Sequence, residues 1–186
     1  MEKERNVQTI VILALAAVIV TMSIGFAAFE ANLNINGNVT VEKAEWNVAF
    51  DTNSYVESEN SVTVASTDRS LTGTAMTYAV TLSAPGDFYE FTINVNNTGT
   101  FDAKLSSLTM TALTQEQAKY LTYTVSYNGT SYTTSNSTLA VQLAKKTGVA
   151  PVKVRVEYIQ PADAADLPTE DVTVSLSAAL HYDQVA

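Results

Sequence analysis

Histidine and paired carboxylates are the side chains of this sequence that could carry acid–base chemistry, and His181 is the single histidine. It lies between Leu180 and Tyr182 in an alternating run, on the polar phase, which is typical of an exposed side chain. The sequence contains no H-E-x-x-H and no G-x-S-x-G motif, so neither a zinc protease site nor a nucleophile elbow is indicated. We therefore predict that His181 is an isolated surface imidazole.

Three pairs of acidic residues are close in sequence, namely Glu57/Glu59, Asp163/Asp166 and Glu170/Asp171. Carboxylates that work as a pair must be held side by side, with the pKa of one raised by its surroundings. All three pairs lie in stretches typical of loops or solvated faces, and no EF-hand spacing accompanies them. Cysteine is absent, which excludes thiolate chemistry and disulfides. We expect no catalytic residue, no metal site and no cofactor, and a protein that is not an enzyme.

Composition narrows the class of protein further. The 186 residues contain 19 acidic and 10 basic side chains, for a formal net charge of −9. Nucleic-acid proteins need a basic face to meet phosphates, so we expect no nucleic-acid partner. Acidity of this kind keeps an isolated domain soluble and identifies no specific partner.

The first residues have the pattern of an export segment. Lys3 and Arg5 lie in a short polar head, and residues 10–29 carry no charge. A charged head, an apolar stretch and small residues at its end are typical of a secretory signal. We predict a signal peptide over residues 1–27, cleaved between Ala27 and Ala28. As a helix, 20 residues also span a bilayer, so an uncleaved anchor to about residue 29 is the alternative. Either way we expect the remainder at the cell surface or outside the cell, touching the membrane only through this segment.

From residue 29 onward, apolar residues recur at every second position, which marks strands with one buried face. The alternating series lie at 29–35, 46–50, 62–64, 78–82, 89–95, 101–105, 121–127, 139–143, 152–158 and 172–182, and Asn128-Gly129 is a hairpin signal. Thr114 and Gln117 fit a capping box, which predicts one short helix near residues 115–120. We predict an all-β fold in which residues 28–186 form a single antiparallel two-sheet sandwich of the Greek-key or jelly-roll kind.

The segment after the predicted cleavage site suggests a mode of assembly. It would be an extended, alternating strand that is free at one end, with apolar side chains at Phe29, Ala31, Leu33 and Ile35. Such a strand can add to a sheet of a neighbouring subunit, and a head-to-tail contact of this type builds a filament. We therefore predict residues 28–41 as a candidate donor strand. The alternative is that they form the first strand of their own domain.

Two blocks of the sequence carry a resemblance to a known group. They are G-F-A-A-F-E-A-N-L at residues 25–33 and P-G-D-F-Y-E-F-T-I-N-V-N-N-T-G-T-F-D-A-K-L at residues 85–105, and the ending L-H-Y-D-Q at 180–184 is similar to endings in the wider group. The chain resembles the TasA/camelysin group of exported bacterial proteins. The resemblance implies a jelly-roll subunit, a dedicated SipW-type signal peptidase, and biofilm-matrix fibres built by donor-strand exchange. The implied partners are further copies of the chain and, as additional candidates, other matrix components.

A metalloprotease activity has been attributed to camelysins, but no metal motif appears here and we do not carry that activity over. The leading hypothesis is a secreted structural subunit that polymerises into cell-surface fibres. The alternative is a membrane-anchored β-sandwich module or adhesin that recognises a carbohydrate or a surface partner.

Overall fold

A computed structural model describes residues 2–27 and 36–185 of the chain, with side chains of the N-terminal helix described over residues 4–22. Ala28 and the predicted donor residues Phe29, Ala31, Leu33 and Ile35 lie outside the described residues. The chain divides into two units, residues 1–42 and residues 43–186.

The first unit contains one helix, α1 (Glu2–Ala27). All of its described side chains are exposed, and Glu4–Met22 is long and apolar enough to cross a membrane. The hydroxyl of Thr21 donates to the carbonyl of Ala17 at 3.0 Å, so this polar group is satisfied within the helix. An exposed apolar helix of this length is stable in a bilayer or is removed, which fits either an export signal or an anchor. Residues 36–42 belong to no helix or strand and are exposed.

The second unit is mostly β. Its described strands are β1 (Val48–Glu57), β2 (Arg69–Leu71), β3 (Met76–Tyr78), β4 (Phe88–Asn97), β5 (Ala103–Met110), β6 (Leu121–Tyr127), β7 (Thr130–Tyr132), β8 (Val141–Leu143), β9 (Gly148–Tyr158) and β10 (Ala178–Gln184). Short 3₁₀ turns lie at Ser66–Asp68, Gln117–Lys119 and Ala164–Asp166. The strands form three antiparallel sheets of five, three and two strands.

The five-stranded sheet has the order β1-β4-β9-β6-β7. Its central strands alternate strictly between buried and outward residues, as the period-two pattern predicts. Across the sheet, Phe91 pairs with Val154 and Val154 with Val125, so inward side chains form rows that cross several strands. Because β4 and β9 are paired over ten residues, they form the rigid base on which the rest of the unit packs.

The three-stranded sheet has the order β10-β5-β8, and the two-stranded sheet is the β2–β3 hairpin. Buried residues of β5 and β8 share one apolar cluster with the inward residues of the five-stranded sheet. Leu105 and Leu108 of β5 are fully buried within that cluster. Without disulfides, this shared core is the main source of stability.

The capping box and the hairpin turn that the sequence predicts are both present in the structure. The amide of Thr114 donates to the side-chain carbonyl of Gln117 at 2.9 Å, and the amide of Gln117 donates to the Thr114 hydroxyl at 3.2 Å, which is the reciprocal capping box. The element it starts is a short 3₁₀ turn, Gln117–Lys119. Asn128 and Gly129 have φ angles of 47° and 85° and connect β6 to β7 as a hairpin.

Several predicted strands are shorter than their apolar patterns. Val62 and Val64 lie outside the strands, and the series over residues 172–182 is strand only from Ala178 onward. β10 pairs with β5, which ends at Met110 opposite Ala178, so the earlier residues have no full ladder to join. Trp46, predicted with β1, precedes that strand and is exposed. An alternating pattern reports which face is apolar, whereas a strand also needs a paired neighbour.

Candidate functional site

The residues that could do acid–base chemistry are separated on the surface of the structure. The His181 side chain is 71% exposed, with its Nε2 3.3 Å from Asp183 Oδ1. Such a surface pair has no enclosed space in which a substrate could be held away from water. His181 therefore lies where the polar phase of the strand predicted it.

The three acidic pairs do not form carboxylate dyads. Glu57 accepts hydrogen bonds from Arg69 at 2.9 Å and from the hydroxyl of Tyr55 at 2.6 Å, whereas Glu59 is exposed. Asp163 accepts from the amide of Ala165 at 2.9 Å, Asp166 pairs with Lys119 at 3.0 Å, and Glu170 and Asp171 are exposed. Within the described ranges, no group of three or more His, Asp or Glu side chains is placed to hold a metal ion.

The described domain contains an apolar groove of about 440 Å³. Its floor is formed by inward residues of the five-stranded sheet, Phe91, Ile93, Val95, Tyr123, Val125, Val152 and Val154. One rim is β1 with the β2–β3 hairpin, represented by Val48, Phe50, Gly73 and Met76. The other rim is the segment from Leu176 to Tyr182, which contains most of β10. We call this feature the inter-sheet groove.

The two rims of the inter-sheet groove differ in their backbone bonding. On the β1 side, the amide of Phe50 donates to the carbonyl of Gly73 at 2.7 Å, so the hairpin covers this edge. On the other side, β10 pairs with β5, and no described strand pairs with its second edge. An edge strand with unpaired N–H and C=O groups is a template for another strand. The groove thus combines an apolar floor with one open backbone edge.

Tyrosine side chains add polar groups to this apolar surface. Tyr78 packs against Tyr89 and Phe91, with ring centroids 5.1 Å and 5.6 Å apart. Its hydroxyl is buried and has no hydrogen-bond partner among the described residues. Burial, together with the neighbouring Tyr89 phenol, raises the pKa of Tyr78 to about 12. The phenol therefore stays protonated at ordinary pH and lies at the groove as an unused donor.

Part of the predicted donor strand falls within the described residues. In residues 36–41, Val39 and Val41 are 88% and 87% exposed and no strand is formed. Exposed valines at alternating positions are unusual for a segment that has found its own place in a core. The predicted cleavage site begins at Ala27, the last residue of α1.

The groove itself could not be predicted from the sequence. The alternating pattern puts Leu180 and Tyr182 on the core phase of the last strand, and both line the groove. No pattern of residues indicates that β10 lies at an edge or that Gly73 lies opposite, because both facts follow from the order of strands. Comparison with models of known protein families and with curated proteins found no match.

Proposed function

We propose that the exported domain is a structural subunit that polymerises by β-strand addition. Residues 28–36 of one copy enter the inter-sheet groove of the next copy and pair with the open edge of β10. The observation that carries the proposal is the apolar groove beside an unpaired strand edge. In this proposal the two larger sheets are the faces of a jelly-roll sandwich, and the added strand completes one of them.

The size of the groove suits the proposed strand. Its volume of about 440 Å³ is roughly three times the ~150 Å³ of an engineered apolar cavity that holds one benzene molecule. The inward positions of the donor are Phe29, Ala31, Leu33 and Ile35, which are three large apolar side chains and one small one. Filling the groove with them would remove the donor side chains from water.

The spacing of the groove also suits a strand. Its floor contains four inward rows, represented by Tyr123, Phe91, Ile93 and Val95, with neighbouring rows two residues apart. At ~3.3 Å per residue, four rows cover about 20 Å. Four donor side chains at every second position of residues 29–35 cover the same length. The match in number and spacing supports a single register for the added strand.

A head-to-tail contact of this kind does not close on itself. The donor segment and the groove are different surfaces of one chain, so each copy can give a strand and receive one, which generates a filament. Cleavage after Ala27 would free the donor end and release the subunit outside the cell. The resemblance to the TasA/camelysin group supports a biofilm-matrix role, a dedicated signal peptidase, and other matrix components as further partners.

The decisive experiment removes the donor and keeps the domain. Residues 29–36 are deleted from the full-length gene, which leaves Ala27 and Ala28 in place for the peptidase. The exported products are then compared by size-exclusion chromatography and negative-stain electron microscopy. We expect fibres from the unaltered protein and folded monomers from the deletion variant, because the compact unit comprises residues 43–186. Fibres of normal yield from the deletion variant would overturn the proposal.

A second candidate is a membrane-anchored binding module or adhesin for a carbohydrate or surface partner. The observation that favours it is α1, which is long and apolar enough to remain in a bilayer. An uncleaved helix would hold the donor end at the membrane and prevent it from entering another copy. Intact-mass analysis of the cell-associated and released protein separates the candidates, because only the fibre subunit should begin at residue 28.

A further inference from the structure

The chain just before β1 continues the β1–β4 ladder beyond the ends of both strands. Val48 pairs with Asn97 in the ladder. The amide of Thr98 donates to the carbonyl of Asn47 at 3.0 Å, and the amide of Thr100 donates to the carbonyl of Glu45 at 2.8 Å. Each step back along one chain is matched by one step forward along the other, so residues 45–47 keep the register of the strands.

Two threonine hydroxyls complete this extension. The amide of Glu45 donates to Oγ1 of Thr100 at 2.9 Å, where a regular ladder would use the Thr100 carbonyl. Nδ2 of Asn47 donates to Oγ1 of Thr98 at 2.7 Å. Residues 45 and 47 are therefore held by both main-chain and side-chain bonds, although they lie outside the assigned strand.

The loop that contacts residues 45–47 is Thr98-Gly99-Thr100, and hydrogen bonds of the buried Asn97 side chain hold it in place. Asn97 is 1% exposed, and its Nδ2 donates to the carbonyls of Phe101 at 2.9 Å and Leu143 at 3.0 Å. Its Oδ1 accepts from the amide of Gly99 at 3.1 Å, and the amide of Lys146 donates to the carbonyl of Gly99 at 3.0 Å. A buried polar side chain with all these bonds satisfied makes the loop rigid.

Glycine is required at the centre of the loop by a close approach. A Cβ at Gly99 would lie 2.7 Å from the backbone nitrogen of Asn47 and 2.8 Å from the carbonyl oxygen of Glu45. Both neighbours are backbone atoms, so neither can turn away as a side chain would. Any larger residue therefore requires residues 45–47 and the loop to move apart.

We infer that Thr98-Gly99-Thr100 is an anchoring site that holds residues 45–47, the point at which the N-terminal arm, the segment of residues 28–44, joins the domain. The inference rests on the proposed function, because it assigns the arm a mechanical load. In a head-to-tail filament each subunit is held to the next through its arm. The anchor extends the β1–β4 ladder back to Glu45, so tension on the arm is carried first by the bonds of residues 45 and 47. Without these bonds, the same tension would act directly on the pair of Val48 and Asn97, the end of the remaining ladder.

The test uses the exported protein and compares Gly99→Ala with Gly37→Ala. A Cβ at Gly37 meets nothing within 4 Å, so this control makes the same chemical change in open space. Amide hydrogen exchange is measured on the monomer by mass spectrometry. We expect exchange in residues 44–48 and 98–100 to rise at least tenfold in Gly99→Ala and to stay unchanged in Gly37→Ala. Unchanged exchange in Gly99→Ala would overturn the anchoring site.

The second measurement addresses the load. Fibres of equal starting length are sheared by brief sonication, and fragment lengths are measured by electron microscopy. We expect fragments of Gly99→Ala fibres to be at least twofold shorter than those of fibres of the unaltered protein. Equal fragment lengths, together with faster exchange, would refute the mechanical role. If neither protein forms fibres, the proposed function fails, while the exchange measurement still decides whether the arm is anchored.

A milder variant covers the case in which Gly99→Ala does not fold. Thr100→Val keeps the shape of the side chain and removes the acceptor of the Glu45 amide. Thr124→Val is its control, because no hydrogen bond to the Thr124 hydroxyl is found in the described structure. Faster exchange of the Glu45 amide in Thr100→Val alone supports the anchor, and equal exchange in the two variants contradicts it.

Discussion

The backbone amide of Phe50 donates a hydrogen bond to the carbonyl of Gly73 at 2.7 Å. This bond joins the outer edge of β1 to the β2–β3 hairpin. Because the hairpin occupies that edge, an incoming strand would find unpaired backbone groups along β10. The asymmetry of the two rims gives the proposed donor one edge to join.

The phase of the donor strand can be tested with two substitutions that add the same charge. Leu33→Asp would place a carboxylate in the apolar groove, whereas Asn34→Asp would place one on the opposite face of the strand, toward water. We expect fibre yield to fall at least tenfold in Leu33→Asp and less than twofold in Asn34→Asp, measured by sedimentation of the purified protein. Equal yields would mean that residues 29–35 do not bind the neighbouring subunit as a strand with one buried face.

The acceptor edge can be blocked without touching the arm. Ala178 lines the groove, and a lysine there would place a charged side chain at an edge strand, a device that prevents strand addition. Ala140 is exposed and lies away from the groove, so Ala140→Lys is the matched control. We expect Ala178→Lys to remain monomeric with an unchanged thermal midpoint, and Ala140→Lys to form fibres. A mixture of Ala178→Lys with unaltered protein should give shortened fibres, because the variant donates a strand and accepts none.

Much of the fold was accessible from the sequence because it depends on local rules. Inward residues of β4 such as Phe91 and Ile93 were identified by period two, and the Asn128-Gly129 hairpin and the Thr114 capping box by turn and cap chemistry. These features need only neighbours in sequence or a single apolar face.

The groove and the anchor could not be predicted because they depend on distant partners. Glu45 and Thr100 are 55 residues apart. No feature of the sequence around Gly99 indicates that the absence of a Cβ there makes room for the backbone of Asn47. An alternating pattern likewise says that Leu180 faces a core, but not that its strand is left with a free edge. Strand order, which is set by the whole chain, supplies this information.

The unpartnered hydroxyl of Tyr78 gives a prediction about stability. A buried polar group without a hydrogen bond destabilises the folded state, so Tyr78→Phe should leave the free energy of unfolding unchanged or raise it by about 1 kcal/mol. Tyr55 provides the contrast, since its hydroxyl lies 2.6 Å from Glu57 and 2.8 Å from the hydroxyl of Tyr89. Tyr55→Phe should lower the free energy by about 1–3 kcal/mol. Urea unfolding of the purified protein measures both, and a loss above 1 kcal/mol in Tyr78→Phe would show that its hydroxyl is bonded.

Alkaline pH should destabilise the domain through its buried phenols. Burial raises the pKa of Tyr78 to about 12 and also raises the pKa values of Tyr89, Tyr123 and Tyr182, whereas a tyrosine in the unfolded chain has a pKa near ~10. The stabilising contribution of the neutral phenol is therefore complete below pH ~10, and it is lost as the pH rises toward the folded-state value, because the unfolded chain releases its proton first. Tyr78 alone should remove about 2–3 kcal/mol between pH ~10 and ~12.

The measurement is urea unfolding of the purified protein at a series of pH values from about 8 to 12, with tyrosinate absorbance followed in parallel. Tyr78→Phe removes one of the buried phenols, so its free energy of unfolding should fall less steeply with pH, by about 1.4 kcal/mol per pH unit. The remaining buried phenols keep part of the slope in the variant. Identical slopes for the unaltered protein and Tyr78→Phe would mean that water reaches the Tyr78 hydroxyl in the folded domain, and that the groove is wider or more open than its apolar lining implies.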